Sequence, residues 1–266
     1  MKQLEAIIFD WAGTTVDYGC MAPILAMKHA FLQQELSITL DEIREPMGIL
    51  KIDHIKAILN MDRVKLSFNE KYGRYAEHHD IQKIYAQFEM NIFSMLHEHT
   101  EIIPGVLDVQ SYLRDHHIKI GSTTGYTKKM IDIVAESAKD QGYIPDFIIA
   151  ADQVNRGRPY PYMLHQNLVA LDIMDTRSVM KVGDTLVDIQ EGLYAGCWTI
   201  GVVKGSSMLG LSKNEIDTMH HDDLKQRTEQ IKYQMLHAGA HYVIDNIAEL
   251  PLIIELINKT GNTHVA

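Results

Sequence analysis

Short apolar runs recur along the chain, and between them the apolar positions repeat at helical intervals. The runs cover residues 6–9, 118–122, 147–150, 179–182, 199–203 and 242–244. Runs of this length predict β-strands. Helical periodicity predicts α-helices over 106–116, 128–138, 161–171, 189–195, 213–238 and 248–259. Strands that alternate with helices imply an α/β chain: a doubly wound, Rossmann-like parallel sheet with helices on both faces. Ligands of such sheets bind at the carboxyl ends of the strands. Asp10, Thr124, Asp152 and Asp184 fall at or just past those ends.

The first two strands are about a hundred residues apart, too far for one crossover. That stretch carries helical signals only. Pro23 suits a first helical turn, with Ile24, Leu25, Met27, Lys28 and Phe31 after it. Thr39-Leu40-Asp41-Glu42 has the spacing of a capping box. Ile81, Ile84, Tyr85, Phe88, Ile92, Met95 and Leu96 recur with helical period. The expected division is a core of residues 1–17 and 100–266 with a helical cap, 18–99, inserted after the first strand. Residues 212–238 read as one surface helix.

Composition narrows the partners. Of 266 residues 46 % are apolar, and the net charge is −10. No long Lys/Arg run is present, so nucleic acid and anionic membranes are poor partners. An anionic substrate must be held by local positive groups. The two cysteines, Cys20 and Cys197, stand far apart, without metal-site spacing. No basic leader with a long apolar region begins the chain, and no run reaches 18 apolar residues. The cytoplasm is the expected compartment.

Four segments carry candidate chemistry. Asp10, at a strand end and followed by Gly13-Thr14, can attack phosphorus as a nucleophile. In Gly183-Asp184-Thr185-Leu186-Val187-Asp188, Asp184 follows a strand and Asp188 lies one helical turn on. With Asp10 they offer hard oxygen ligands suited to Mg²⁺. The hydroxyls and loop N–H groups of Ser122-Thr123-Thr124-Gly125-Tyr126-Thr127 can hold phosphoryl oxygens. Arg158, in a Gly/Pro loop, can grip a phosphonate or phosphate through two parallel hydrogen bonds.

These segments, in this order and spacing, resemble the four motifs of the haloacid dehalogenase superfamily, over residues 4 to about 205. Arg158 stands where lysine is commoner, and the helical insertion takes the place of that superfamily's first cap. Within the superfamily, Asp10-Trp11-Ala12-Gly13-Thr14-Thr15, Met47-Gly48-Ile49-Leu50-Lys51-Ile52-Asp53-His54 and residues 121–127 are similar to the signatures of the phosphonoacetaldehyde hydrolase (phosphonatase) family. The resemblance implies Asp10 as nucleophile and Lys51 as the amine that forms a Schiff base with the substrate aldehyde. It implies Mg²⁺ held by the Asp10 carboxylate, the Ala12 carbonyl and Asp184, with Asp188 beside them. It implies that Arg158 and the Thr124 region hold the phosphonate, and that two chains associate through the cap. Met27 and Phe31 are candidates for that dimer surface.

Ala12 and Lys51 belong together on chemical grounds. Superfamily phosphatases have an aspartate two residues after the nucleophile, which protonates the departing ester oxygen. Ala12 cannot deliver a proton. Breaking C–P leaves an electron pair on carbon, and a protonated imine on the adjacent carbon accepts it. Lys51 can form that imine, but only when neutral; at an ordinary pKa roughly 0.04 % is neutral at pH 7. Burial and nearby cations must therefore depress it. His54, one helical turn from Lys51, shares its face and can shuttle protons. Tyr126 is expected to orient groups near the nucleophile, and Met47 to wall the imine. Cys20 and Trp11 read as packing.

The expected reaction is hydrolysis of phosphonoacetaldehyde to acetaldehyde and phosphate, in the degradation of 2-aminoethylphosphonate. The alternatives are a Mg²⁺-dependent phosphate monoesterase on the same fold and a non-catalytic phospho-ligand binding protein.

Overall fold

The structure is a computed structural model that describes residues 3–260. Its six strands are β1 (Ala6–Phe9), β2 (Lys119–Thr124), β3 (Phe147–Ala150), β4 (Val179–Gly183), β5 (Trp198–Val202) and β6 (Tyr242–Ile244). They form one sheet in the order β3-β2-β1-β4-β5-β6, with every pairing parallel. β1, β3 and β6 keep the bounds their apolar runs predict, and the other three differ by one or two residues.

This strand order reverses direction at β1, between β2 and β4, which opens a crevice beyond the carboxyl ends of β1 and β4. Phe9 stands level with Val182 on β4 and Ser122 on β2. The Asp10 amide donates to the Val182 carbonyl (2.9 Å). Register therefore sets Asp10 and Asp184 at the mouth of the same crevice.

Five α-helices fall within residues 18–99, after β1: α1 (Met21–Leu32), α2 (Leu40–Arg44), α3 (Lys51–Asn60), α4 (Asp62–Tyr72) and α5 (His78–Met95). The expected capping box opens α2, with Thr39 and Glu42 each bonded to the other's backbone N–H. At α1 the left-handed Cys20 precedes the helix, and the Asp17 carboxylate accepts from the Met21 and Ala22 amides. Met27 and Phe31 face inward from α1 toward α5 and are fully buried, so neither can serve a dimer surface. Their helix packs its apolar face against a neighbour in the same insertion. The outgoing and returning links pair antiparallel at Val16 and Ile102, with Asp17 N–H on Glu101 O and Ile103 N–H on Thr15 O.

The remaining helices flank the sheet: α6 (Val106–Asp115), α7 (Lys128–Asp140), α8 (Tyr162–Ala170), α9 (Leu186–Ala195), α10 (Lys213–Thr218), α11 (His221–His237) and α12 (Leu250–Thr260). The single helix expected over 213–238 is broken at Met219-His220, both extended; the His220 ring then accepts from the Asp222 amide and caps α11. α11 is also more than a surface helix: it buries Thr228, Ile231 and Met235. α9 begins three residues earlier than its apolar period suggests, because Thr185 caps it in a capping box with Asp188. Among the described residues no helix is long and apolar enough to cross a membrane.

Candidate active site

Asp10, Asp184 and Asp188 are buried, and each offers a carboxylate oxygen within 4.8 Å of the others. Asp184 is held from the loop after β5. Its Oδ2 accepts from the Ser207 amide and hydroxyl, each at 2.7 Å. Asp188 Oδ2 accepts from the Thr185 amide (3.2 Å) and hydroxyl (2.5 Å). The Asp184 carboxyl is pushed well above the usual range by burial first, then by Asp10 and Asp188. At Asp188 burial pulls the same way, but Arg158 and Lys181 beside it win and hold its carboxyl down.

Two cations lie under these acids. Arg158 reaches Asp10 Oδ1 (2.7 Å) through one terminal nitrogen, Asp188 Oδ1 (3.0 Å) through the other, and Glu191 Oε2 (3.0 Å) through Nε. The nitrogen on Asp10 also meets the Thr123 carbonyl (2.8 Å) and hydroxyl (2.7 Å). Lys181 Nζ lies 2.9 Å from Asp188 Oδ1 and 3.5 Å from Glu191 Oε2, and donates to Thr123 Oγ1 (2.9 Å). Four buried carboxylates thus gather around Arg158 and Lys181, so the acids outnumber the cations paired with them by two. A divalent cation on Asp10 and Asp184 would balance that excess, and their oxygens suit a hard one. The residues present therefore fit a metal.

Lys51 opens α3 on the insertion and is 3 % exposed. Among the described residues no carboxylate pairs with it; Nζ meets the Met47 sulfur at 3.8 Å and lies 5.6 Å from the centre of the Tyr126 ring. Burial lowers its pKa, and Arg158 adds to that, against Cys20, Asp10 and Asp184, which pull upward. His54 is fully buried one turn on. Its Nε2 lies 2.7 Å from the Ile43 carbonyl, which only accepts, so Nε2 carries the proton. Nδ1 is then a bare acceptor without a partner among the described residues. Burial, then the Lys51 charge, pull the ring down to about 3, so it stays neutral.

Asp10, Ala12, Met47, Lys51, Thr124, Gly125, Tyr126, Arg158 and Asp184 line one cavity. Its volume of about 20 Å³ leaves room for about one water. The insertion presses close: a side chain on Gly125 would meet the Gly48 and Ile49 carbonyls at 2.7 and 2.8 Å. A groove of about 510 Å³, walled by α2, the start of α9 and the end of α11, shares Met47 and Thr185 with this cavity.

Several expectations change. Cys20 lines the cavity, although it read as packing; Trp11 does pack, donating to Ser122 Oγ and meeting Tyr143 edge-on. Met47 precedes α3 in a turn rather than in the helix, yet still reaches Lys51. Thr124 ends β2, and its hydroxyl is held by the Tyr126 amide (3.1 Å). Arg158 has every nitrogen on a protein acceptor. Asp152 caps α7 through the Lys128 amide and stays out of the site. Thr123, expected to offer its hydroxyl to phosphoryl oxygens, instead gives it to Glu191 and receives Arg158 and Lys181. Lys181 and Glu191 were missed. The signal was present: Lys181 interrupts the apolar run 179–182, and Glu191 lies one turn after Asp188.

The model of the haloacid dehalogenase-like hydrolases matches residues 7–202. A phosphonoacetaldehyde hydrolase of Bacillus cytotoxicus is 47 % identical over 257 residues, 97 % of each chain. A bifunctional phosphonoacetaldehyde hydrolase/aminoethylphosphonate transaminase of Clostridioides difficile is 43 % identical over 97 % of this chain and 41 % of its own length. The crystal structure of a phosphonoacetaldehyde hydrolase-like protein from Oleispira antarctica superposes with a TM-score of 0.94 at 35 % identity, covering 97 % of this chain and 94 % of that one. The chain belongs to the haloacid dehalogenase-like hydrolases and, within them, to the phosphonoacetaldehyde hydrolase family.

Proposed function

We propose that the chain hydrolyses phosphonoacetaldehyde to acetaldehyde and phosphate. One observation carries the reading: an amine buried without a carboxylate partner, in the same small cavity as Asp10 and beside a position 12 that bears no acid. Burial shifts such an amine toward the neutral form that condensation with an aldehyde requires. The bare Nδ1 of His54, fixed by its bond to Ile43, offers a neutral hydrogen-bond acceptor one turn from Lys51 rather than a base, since burial holds the ring's pKa at about 3.

The amine of Lys51 adds to the aldehyde and loses water to give an imine, which is protonated. An Asp10 carboxylate oxygen attacks phosphorus. The C–P bond breaks, its electron pair moves to carbon, and the iminium becomes a neutral enamine. Protonation of that carbon restores the imine. Water then releases acetaldehyde from Lys51 and phosphate from Asp10, so the sum is one substrate and one water to two products. The Asp10 carboxylate, the Ala12 carbonyl and Asp184 would hold Mg²⁺, which lowers the charge repulsion between a carboxylate and a phosphonate. Asp188, with both oxygens occupied by protein donors, orients Arg158 and the helix start. Thr124 and Gly125 bound the phosphonate side of the cavity and Met47 and Tyr126 the amine side. A phosphoryl oxygen approaching Asp10 meets the Arg158 nitrogen that already touches it.

A cavity with room for about one water cannot admit the substrate as it stands. The insertion, residues 18–99, therefore acts as a cap that opens at the paired links near Val16 and Ile102 and closes over the bound aldehyde. The test is borohydride added during turnover. An ethyl group reduced onto Lys51, found by mass spectrometry, is the expected product. Lys51 left unmodified after turnover removes the imine mechanism.

A further inference from the structure

Glu191 and Lys181 touch neither the cavity nor the aldehyde end of the site, yet both are fully buried beneath the nucleophile. Glu191 lies on α9 one turn after Asp188, and Lys181 on β4 two residues before Gly183. Glu191 Oε2 takes the Nε–H of Arg158 (3.0 Å) and the hydroxyl of Thr123 (3.1 Å). Lys181 ties that oxygen to Asp188 Oδ1.

We infer that Glu191 and Lys181 are positioning residues that lock the Arg158 guanidinium in one plane and, through it, hold the Asp10 carboxylate in line for attack. A guanidinium is flat, so anchoring Nε fixes where both terminal nitrogens point. Glu191 is the side chain on Nε, which leaves one terminal nitrogen for Asp188 and the other for Asp10. Lys181 keeps Asp188 and Glu191 from competing for that one cation. The pair adds no net charge. A buried pair is also no efficient source of stability, since apolar residues of similar volume do as well or better. What it supplies is direction. Asp10 has to turn one oxygen to phosphorus while the other stays held, and the hold comes from Arg158.

The inference rests on Asp10 as the attacking group. Four variants of the full chain test it on phosphonoacetaldehyde. Glu191→Leu is expected to lose about 10- to 100-fold in kcat with KM within about twofold, the range for partners one step behind a reacting group. Glu191→Gln keeps an oxygen for Nε–H and is expected to retain kcat within about threefold. Lys181→Met/Glu191→Leu removes both charges together, so it is expected to fold with a wild-type thermal midpoint and to be as slow as Glu191→Leu. A folded leucine variant with wild-type kcat overturns the inference. So does a glutamine variant as slow as the leucine one, because charge and not direction would then be what matters. A double variant that does not fold overturns it too, since the pair would be a stability element. Asp10→Ala is the control. If it stays active the proposed chemistry falls; if it is dead while Glu191→Leu runs at full rate, only the positioning role falls.

Discussion

Arg158 and Lys51 are both cationic side chains buried beside Asp10, and they are wired in opposite ways. Arg158 touches three carboxylates, whereas Lys51 touches a thioether and an aromatic face. Burial opposes the charge of both. At Arg158 the pull of Asp10, Asp188 and Glu191 overrides burial and raises its pKa, so it remains a cation. At Lys51 the upward pulls of Cys20, Asp10 and Asp184 do not repay the lost hydration, and its pKa falls. Partners, not depth, decide which cation stays charged. The floor of the site needs a permanent charge to steer a carboxylate, and its roof needs a free electron pair to attack an aldehyde.

The comparison breaks most completely at Lys51→Arg. Arginine keeps a positive charge and cannot form the imine, so kcat should fall by about 10⁴-fold or more. Borohydride should trap nothing at position 51. Retained turnover would show that the roof needs only a cation.

Arg158→Lys is the converse change and ranks second. Lysine carries the charge as a point and cannot serve Nε, Asp188 and Asp10 together. Turnover should fall about 100-fold, and the fold should weaken by about 3 kcal/mol as buried carboxylates lose their partner. Steady-state kinetics and urea unfolding give the two numbers. Trapping at Lys51 should persist, because the roof is untouched; its loss would show that the two regions are not separable.

Most of the fold could be read from the chain because the strands other than β2, which is mostly polar, are mainly apolar runs, and Asp10 and Asp184 are legible because they follow such runs directly. The floor was harder. Lys181 sits inside an apolar strand, where a lone charge reads as noise until its partners on α9 and at Arg158 are brought together by the sheet. Met27 and Phe31 follow a period that says only that one face is apolar; that the face meets α5 is a tertiary fact. The break at Met219-His220 lacks glycine and proline, so no local signal marks it. Cys20 looked inert because a cysteine without a metal spacing usually packs, and the left-handed turn that carries it to the cavity wall has no apolar period to betray it.

The third effect is on stability and has the opposite sign from the first two. Lys51 binds its proton more weakly in the folded chain than in the unfolded one, whose value is near the ordinary 10.5. Between its lowered folded pKa and 10.5 the unfolded state holds more protons, so stability rises with pH across that window. Below the folded pKa the penalty is complete and constant. Lys51→Met removes it while keeping the volume, so the variant should be inactive yet more stable at pH 7 by about 1–3 kcal/mol, the cost of a buried polar group without a proper partner. The gain should shrink as pH rises toward 10.5. Urea unfolding at a series of pH values checks this, and a gain that grows with pH would mean that Lys51 is charged and paired after all.

The smallest effect concerns how the roof is brought down on the floor. Gly125, beside Thr124 on the core, faces the Gly48 and Ile49 carbonyls of the insertion, and an added methyl would stand 2.7 and 2.8 Å from them. Those atoms are backbone and cannot swing aside as a side chain does, so in Gly125→Ala the segment leading to Lys51 must retreat by about half an ångström. The contacts each cation makes within its own region stay; what changes is what crosses between them: the amine–nucleophile distance, the approach of Lys51 to the Tyr126 ring and the 3.4 Å bond from Arg158 to the Gly48 carbonyl. Because a misplacement of that order weakens the alignment of reacting groups, kcat/KM should drop about 10-fold. Trapping of Lys51 by the aldehyde should continue, since imine formation needs only the roof, while phosphate release, which needs both regions, slows. Equal slowing of both steps would locate the damage in Lys51 itself, and wild-type kinetics would mean that closure does not depend on this contact.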